Sequence, residues 1–143
     1  MAYDTSPVPI HTPDGIVMHR LFTDLWLPRM GLDWLNENVE RSWPLQYRIR
    51  KEWANLTMAM VKQPLMPHAP WPKALIQPVF KFKTARRRDP INFMPTVKPI
   101  IDQLVRMGYW RDDTPEFVDY GTPSAVEQVK EDGVHLFIYE RKQ

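Results

Sequence analysis

The sequence predicts a single domain of α/β (α+β) class: one mixed β-sheet of about four strands with two main helices packed on it, in the order β-α-β-α-β-β. Three observations carry this expectation. Residues 45–60 and 97–105 repeat apolar side chains at spacings of three and four, the period of a helix with one buried face. Residues 16–27, 75–82, 117–120 and 134–140 are short runs rich in β-branched, aromatic or alternating apolar residues. Proline or glycine punctuates most of the junctions between them.

Taken in order, residues 1–14 hold Pro7, Pro9 and Pro13 and read as an extended or mobile arm, with the domain occupying 15–143. The first strand, 16–27, ends at Pro28 and Gly31, and Leu35-Asn36-Glu37-Asn38 reads as a loop. Ser42 can cap a helix and Pro44 fits its first turn. Leu45, Ile49, Trp53, Leu56 and Met60 then supply a buried stripe to about Lys62. Arg48, Arg50, Lys51 and Glu52 lie off that stripe, and a solvated face is the first expectation for them, with DNA contact as the alternative. Pro64, Pro67, Pro70 and Pro72 make 63–73 a proline-rich connection. Pro78 inside the second strand predicts an edge position or a bulge, because proline cannot donate to a ladder. The second helix, about 95–107, buries Val97, Ile100, Ile101, Leu104 and Val105 and is stopped by Gly108. Residues 121–133 read as a polar connection before the last strand.

Composition removes several function classes. The chain has 143 residues and no cysteine, which excludes disulfides, thiolate metal sites and cysteine nucleophiles and suits a reducing cytoplasm. No stretch approaches the roughly 20 apolar residues that span a bilayer, and the first residues lack the pattern of a signal peptide. A cytoplasmic protein with no membrane partner and no small-molecule cofactor is expected. Six Trp, five Tyr and six Phe are most simply core residues, with stacking on bases as the other use. Core packing is the expectation for Trp34, Trp43, Trp71 and Trp110, with a junction-opening wedge among them as the alternative.

Net charge is only +2, but its distribution is uneven. Lys81, Lys83, Arg86, Arg87 and Arg88 place five cations in eight residues with no acid among them, a local field that favours a polyanion. Between Arg86 and Asp113 the sequence then offers Asp89, Asn92, Lys98, Asp102, Asp112 and Asp113. Carboxylates beside cations are the parts that hydrolyse a phosphodiester: acidic oxygens hold Mg²⁺, and Lys or Arg bind the phosphate or its developing charge. Each residue also has a plainer use. Asp89 can cap the second helix, Lys98 and Asp102 can pair across one turn, and Asp112-Asp113 can shape a turn.

The succession Arg86-Arg87-Arg88-Asp89-Pro90-Ile91-Asn92, Pro95-Thr96-Val97-Lys98, Asp102 and Gly108-Tyr109-Trp110-Arg111-Asp112-Asp113 resembles the central motif of the RusA family of phage-type Holliday-junction resolvases. The Leu35–Asn38 loop, the basic helix after it and the Val118-Asp119-Tyr120 strand extend the resemblance over roughly residues 17–140. It implies a homodimer that binds four-way DNA junctions in the cytoplasm of a bacterial host and nicks two strands symmetrically with Mg²⁺ or Mn²⁺. It assigns metal binding to Asp89 and Asp113, with Asp112 as alternative or helper, the catalytic lysine to Lys98, and DNA contact to Arg88 within a basic group of Lys83, Arg86, Arg87 and Lys98.

Two positions depart from the family pattern. Ile91 stands where a second Asp is expected, and the spacing from Asn92 to Lys98 is longer, with Pro95 inserted. Asp102, Asp112 or Asn92 are then candidates to complete the metal site, Asp102 first because it lies one turn beyond Lys98 on the same face. A helix over 95–107 is roughly 20 Å long, so Asp89 and Asp113 cannot share an ion from its two ends. Either the flanking loops fold back along it or a second subunit completes the site. A protein of the same fold that binds junctions with weakened catalysis is the alternative function.

Overall fold

A computed structural model describes residues 8–12, 15–61 and 71–140. Strands β1 (Val8–Thr12) and β2 (Gly15–Pro28) precede helix α1 (Trp43–Met60); β3 (Ala74–Lys81), a 3₁₀ turn (Pro90–Phe93) and α2 (Met94–Arg106) follow, then β4 (Val118–Tyr120), β5 (Ser124–Val126) and β6 (Gly133–Glu140). The strand order is β1-β2-β6-β3-β4, with β5 paired to β3 beyond β4. The sheet is mixed: β6 runs antiparallel to β2 and β3, whereas β4 and β5 run parallel to β3. The α+β architecture with two helices is therefore as the sequence predicts.

Two strands escape the sequence reading. Val8–Thr12, placed in the arm, pairs with residues 15–19 of β2 as an edge strand, where Pro9 is tolerated. The rest of the arm, 1–7 and 13–14, and most of the proline-rich connection, 62–70, lie outside the described residues. Ser124–Val126 falls in the polar 121–133 connection; it is three residues long and faces solvent at both ends, so it carries no apolar signal.

Pro78 is a correction. It sits in β3, an interior strand between β6 and the β4/β5 edge, and not at an edge of the sheet. The Ile76 carbonyl accepts from the Gly121 amide at 2.8 Å, so residue 76 directs its backbone groups to the β4/β5 side. Backbone direction alternates along a strand, so Pro78 faces that side too. There β4 has ended opposite Ile76 and β5 begins opposite Val79. The missing donor falls in the break between two short strands.

Both helices pack on one face of the sheet. Leu25, Leu27, Ala74, Ile76, Phe80, Phe82, Val134, Leu136 and Ile138 meet Ile49, Trp53, Val97, Ile100, Ile101 and Leu104 in one core. Each fully buried large aliphatic stabilises by about 1.5–3 kcal/mol relative to exposure. A bulge at Phe22 in β2 shifts the alternation, so Phe22 and Leu25, three apart, both reach this core. Met60, predicted in the α1 stripe, is exposed because it falls in the last turn.

The helix ends follow their sequence signals. Ser42 Oγ accepts from the Leu45 amide at 3.4 Å, with Pro44 in the first turn. At the end of α2, Gly108 takes φ +91°, the Gly108 amide donates to Val105 and the Tyr109 amide to Leu104, a reversal that suits glycine. The 33–37 loop is pinned over the start of α2: buried Thr96 Oγ1 accepts from the Leu35 amide and donates to the Leu35 carbonyl, both at 2.9 Å. The Trp53 indole donates to the Asp33 carbonyl from the α1 side, also at 2.9 Å.

Candidate active site

Lys98 lies in the second turn of α2 and presents its ammonium to two carboxylates. It donates to Asp102 Oδ1 at 3.0 Å, one turn on along the same face, and it pairs with Asp113 Oδ2. Asp113 reaches it because the chain reverses at Gly108. Tyr109 and Trp110 then bury their rings, and the Tyr109 carbonyl accepts from the Trp71 amide at 2.8 Å. The turn thereby runs back beside the helix. The length of α2 consequently does not keep Asp113 from its middle, because the loop after the helix folds back along it, but this brings Asp113 to Lys98 and not to Asp89. Asp112 does not join them: it is exposed, and its Oδ1 accepts from the Asp113 amide at 2.7 Å, shaping the turn.

Tyr120 of β4 stands near this group and was not singled out from the sequence. Burial pushes its phenol up to about 12, and the negative charge of Asp102 adds to the shift. It stays protonated, a donor, throughout the physiological range. Its signal in the sequence was only a place at the end of a strand.

Asp89 is positioned differently. It is the N-cap of the 3₁₀ turn, its Oδ1 accepting from the Ile91 amide at 3.3 Å and its carbonyl from the Asn92 amide at 3.1 Å. The capping role named as the plain use of Asp89 is thus present, and its carboxylate remains exposed. Ile91 is 55% exposed two residues later. Asn92 accepts through its carbonyl from the Glu37 amide at 2.9 Å, tying the 33–37 loop to this turn.

The basic run is split by the fold. Lys81 is on the helix-free face of the sheet, where its ammonium is 3.0 Å from His135 Nδ1 and lies over the Trp26 ring. His135 in turn pairs with Asp24. Arg88 turns inward: its guanidinium stacks 4.0 Å from the Phe82 ring centre and donates to the Thr84 carbonyl and hydroxyl at 2.9 and 3.0 Å. Lys83, Arg86 and Arg87 are exposed. The loop is anchored at its start by Asp132, whose Oδ1 accepts from the Lys83 amide at 2.6 Å and whose Oδ2 pairs with Arg29 at 2.9 Å.

A groove of about 600 Å³ runs between α1 and α2, and Lys98 and Asp102 form part of its wall. Arg50 and Lys51, read first as a solvated face, line it, as does Arg106. Sequence periodicity shows that these residues avoid the core; it does not show that two helices place them opposite one another.

Among the described residues, no three of His, Asp and Glu stand close enough to hold one ion. Asp102 and Asp113 nevertheless present two hard oxygen donors to one point, a set that suits Mg²⁺ with its remaining positions filled by water and phosphate. The Lys98 ammonium stands between them, so a divalent ion binding both must displace or share with it.

Neither a protein-family model nor a curated protein sequence matches the chain. Among the described residues, no helix is long and apolar enough to cross a membrane.

Proposed function

We propose that this protein is a Mg²⁺- or Mn²⁺-dependent, structure-selective DNA endonuclease of RusA type. It would resolve four-way junctions and other branched DNA by paired symmetric nicks, as a homodimer in the bacterial cytoplasm. The observation that carries the reading is the convergence of Asp102 and Asp113 on Lys98 beside a groove lined by further cations. Asp89, at the head of the same helical segment, offers an exposed carboxylate two and three residues after the exposed Arg87 and Arg86.

In this reading Asp113 and Asp102 would hold the divalent ion, which would supply Lewis acidity and an activated water. Asp89, which forms no group of three with them within one chain, would complete the site from the second subunit of the proposed homodimer. Lys98, displaced from its carboxylates, meets the phosphate oxygen on which negative charge develops. Tyr120 remains a neutral donor near Asp102. Lys83, Arg86 and Arg87 bind flanking phosphates and fix the register of the strand. Arg88 supports them by holding the loop against Phe82.

Ile91 favours a second reading, a junction-binding protein with weakened cleavage, because no carboxylate stands two residues after Asp89. One experiment separates the two. Labelled four-way junction and linear duplex of the same sequence are incubated with wild type and Asp89→Asn, in Mg²⁺, Mn²⁺ and EDTA. Asn also caps helical turns, so the variant keeps its fold. The nuclease reading expects paired nicks in the junction, lost in EDTA and in Asp89→Asn. Tight junction binding without nicks in either metal sinks it in favour of the second.

A further inference from the structure

Trp43 and Tyr47, one turn apart at the start of α1, are 74% and 55% exposed, and their rings stack with centres 5.7 Å apart and planes 18° from parallel. They belong to no part of the core. Tyr47 also lines the groove between α1 and α2, whose charged lining is Arg50, Lys51, Lys98 and Arg106 against the single acid Asp102. On α1 the succession 43, 47, 50, 51 and 54 keeps to one side of the helix, so the ring pair leads directly into the cations. An aromatic platform continuous with a cationic channel is the arrangement that holds an unpaired nucleic-acid strand: bases stack on the rings and phosphates follow the charges, with little dependence on sequence.

We propose that the Trp43–Tyr47 pair and the α1/α2 groove form a track for single-stranded DNA, with a base against the rings and the backbone along Arg50, Lys51 and Arg106. Tyr47 to Arg50 and Lys51 spans about one turn, roughly 5 Å along the axis, so one strand meets rings and cations together. The choice of DNA as the polymer rests on the nuclease reading above; the ring pair and the charge do not, since none of these four α1 residues belongs to the proposed metal site. The track leads to Lys98 and Asp102, so an unpaired strand at a branch point would enter the site along it. A duplex offers its rings no exposed base faces and lacks this fit.

The test is a titration of the full chain with oligo(dT) in EDTA at low salt, read by tryptophan fluorescence and by anisotropy of a labelled strand. Saturable quenching is expected, because Trp43 is the most exposed tryptophan of the described residues. Trp43→Ala with Tyr47→Ala should weaken binding about tenfold or more, and Trp43→Phe should restore much of it. Arg50→Ala with Lys51→Ala should flatten the slope of log affinity against log salt by about 1.4, at roughly 0.7 per phosphate contact. These positions are exposed, so a thermal melt should show each variant folded. Unchanged oligo(dT) affinity in the double aromatic variant, or no binding by wild type, overturns the proposal. Tighter capture of oligo(U) overturns the choice of DNA. Junction cleavage in Mg²⁺, run in parallel, separates the two proposals. Binding that depends on Trp43 without nicking defeats only the nuclease reading, and nicking without oligo(dT) binding defeats only the track.

Discussion

The Lys98 ammonium lies 3.0 Å from Oδ1 of Asp102 and at the same time meets the Asp113 carboxylate, which the chain brings back from beyond the end of α2. One cation thus neutralises two acids from different parts of the sequence. With Lys98 57% exposed, the pairs contribute little to stability, and water screens them. Their arrangement matters for chemistry instead.

If Lys98 occupies the place of a divalent ion, removing it has opposite effects on binding and on catalysis. Lys98→Ala should tighten Mn²⁺ binding, because a competing positive charge is gone, yet reduce junction nicking by about a hundredfold or more through loss of charge stabilisation at the phosphate. Asp113→Asn should loosen Mn²⁺. Calorimetric titration and single-turnover nicking read both, and Mn²⁺ affinity that is identical in all three proteins would remove Asp113 from the metal site.

Ile91 offers a gain-of-function test. Its side chain is 55% exposed, so Ile91→Asp leaves no cavity and should change stability by less than about 1 kcal/mol. It places a carboxylate two residues after Asp89, where the resembling family has one. The expected result is stronger Mn²⁺ binding and faster nicking than wild type. Slower nicking with an intact fold would mean that this turn does not contribute to the site.

Thr96 tests what holds the loop over α2. Its buried hydroxyl serves both the amide and the carbonyl of Leu35. Thr96→Val keeps the shape but leaves two buried backbone groups unpaired, which costs about 1–3 kcal/mol for each group deprived of a partner. Urea denaturation should show a lower midpoint at unchanged m-value.

Asp132 gives a pH dependence with a definite sign. Burial alone would raise its carboxyl, but the hydrogen bond from the Lys83 amide and the Arg29 guanidinium together hold it below the ordinary value of 3.8. A depressed carboxyl stabilises the fold above the unfolded pKa, and that stabilisation is lost as pH falls through the folded one. Wild-type stability should therefore fall as pH drops below about 4, and Asp132→Asn should show less of that fall while being weaker at neutral pH by about 1.5–3 kcal/mol. Melts at a series of pH values check both, together with the protease sensitivity of the basic loop that Asp132 anchors.

The two helices, their Ser42 and Gly108 termini and four of the strands were legible in the sequence because capping and apolar period are local properties. The position of Trp43 was also within reach. It lies about 120° around the helix from the centre of the core stripe, so its exposure follows from the stripe already identified, and only the habit of burying tryptophan pointed elsewhere. Pro78 was misplaced for a different reason: its missing donor is harmless in an interior strand only because β4 stops and β5 starts opposite it.

By itself, then, the sequence determined the α+β class, the order of its helices and main strands, and the clustering of acids and cations in its second half. Tertiary structure decided which of those charges meet. Reversal at Gly108 and burial of Tyr109 and Trp110 carry Asp113 to Lys98, whereas the same chain leaves Asp112 in the turn and Asp89 on its cap. Packing of α1 against α2 sets Arg50 and Lys51 across from Lys98. Spacing along one element is governed by backbone geometry, but proximity between elements is set by which apolar faces bury together, and no single segment contains that information.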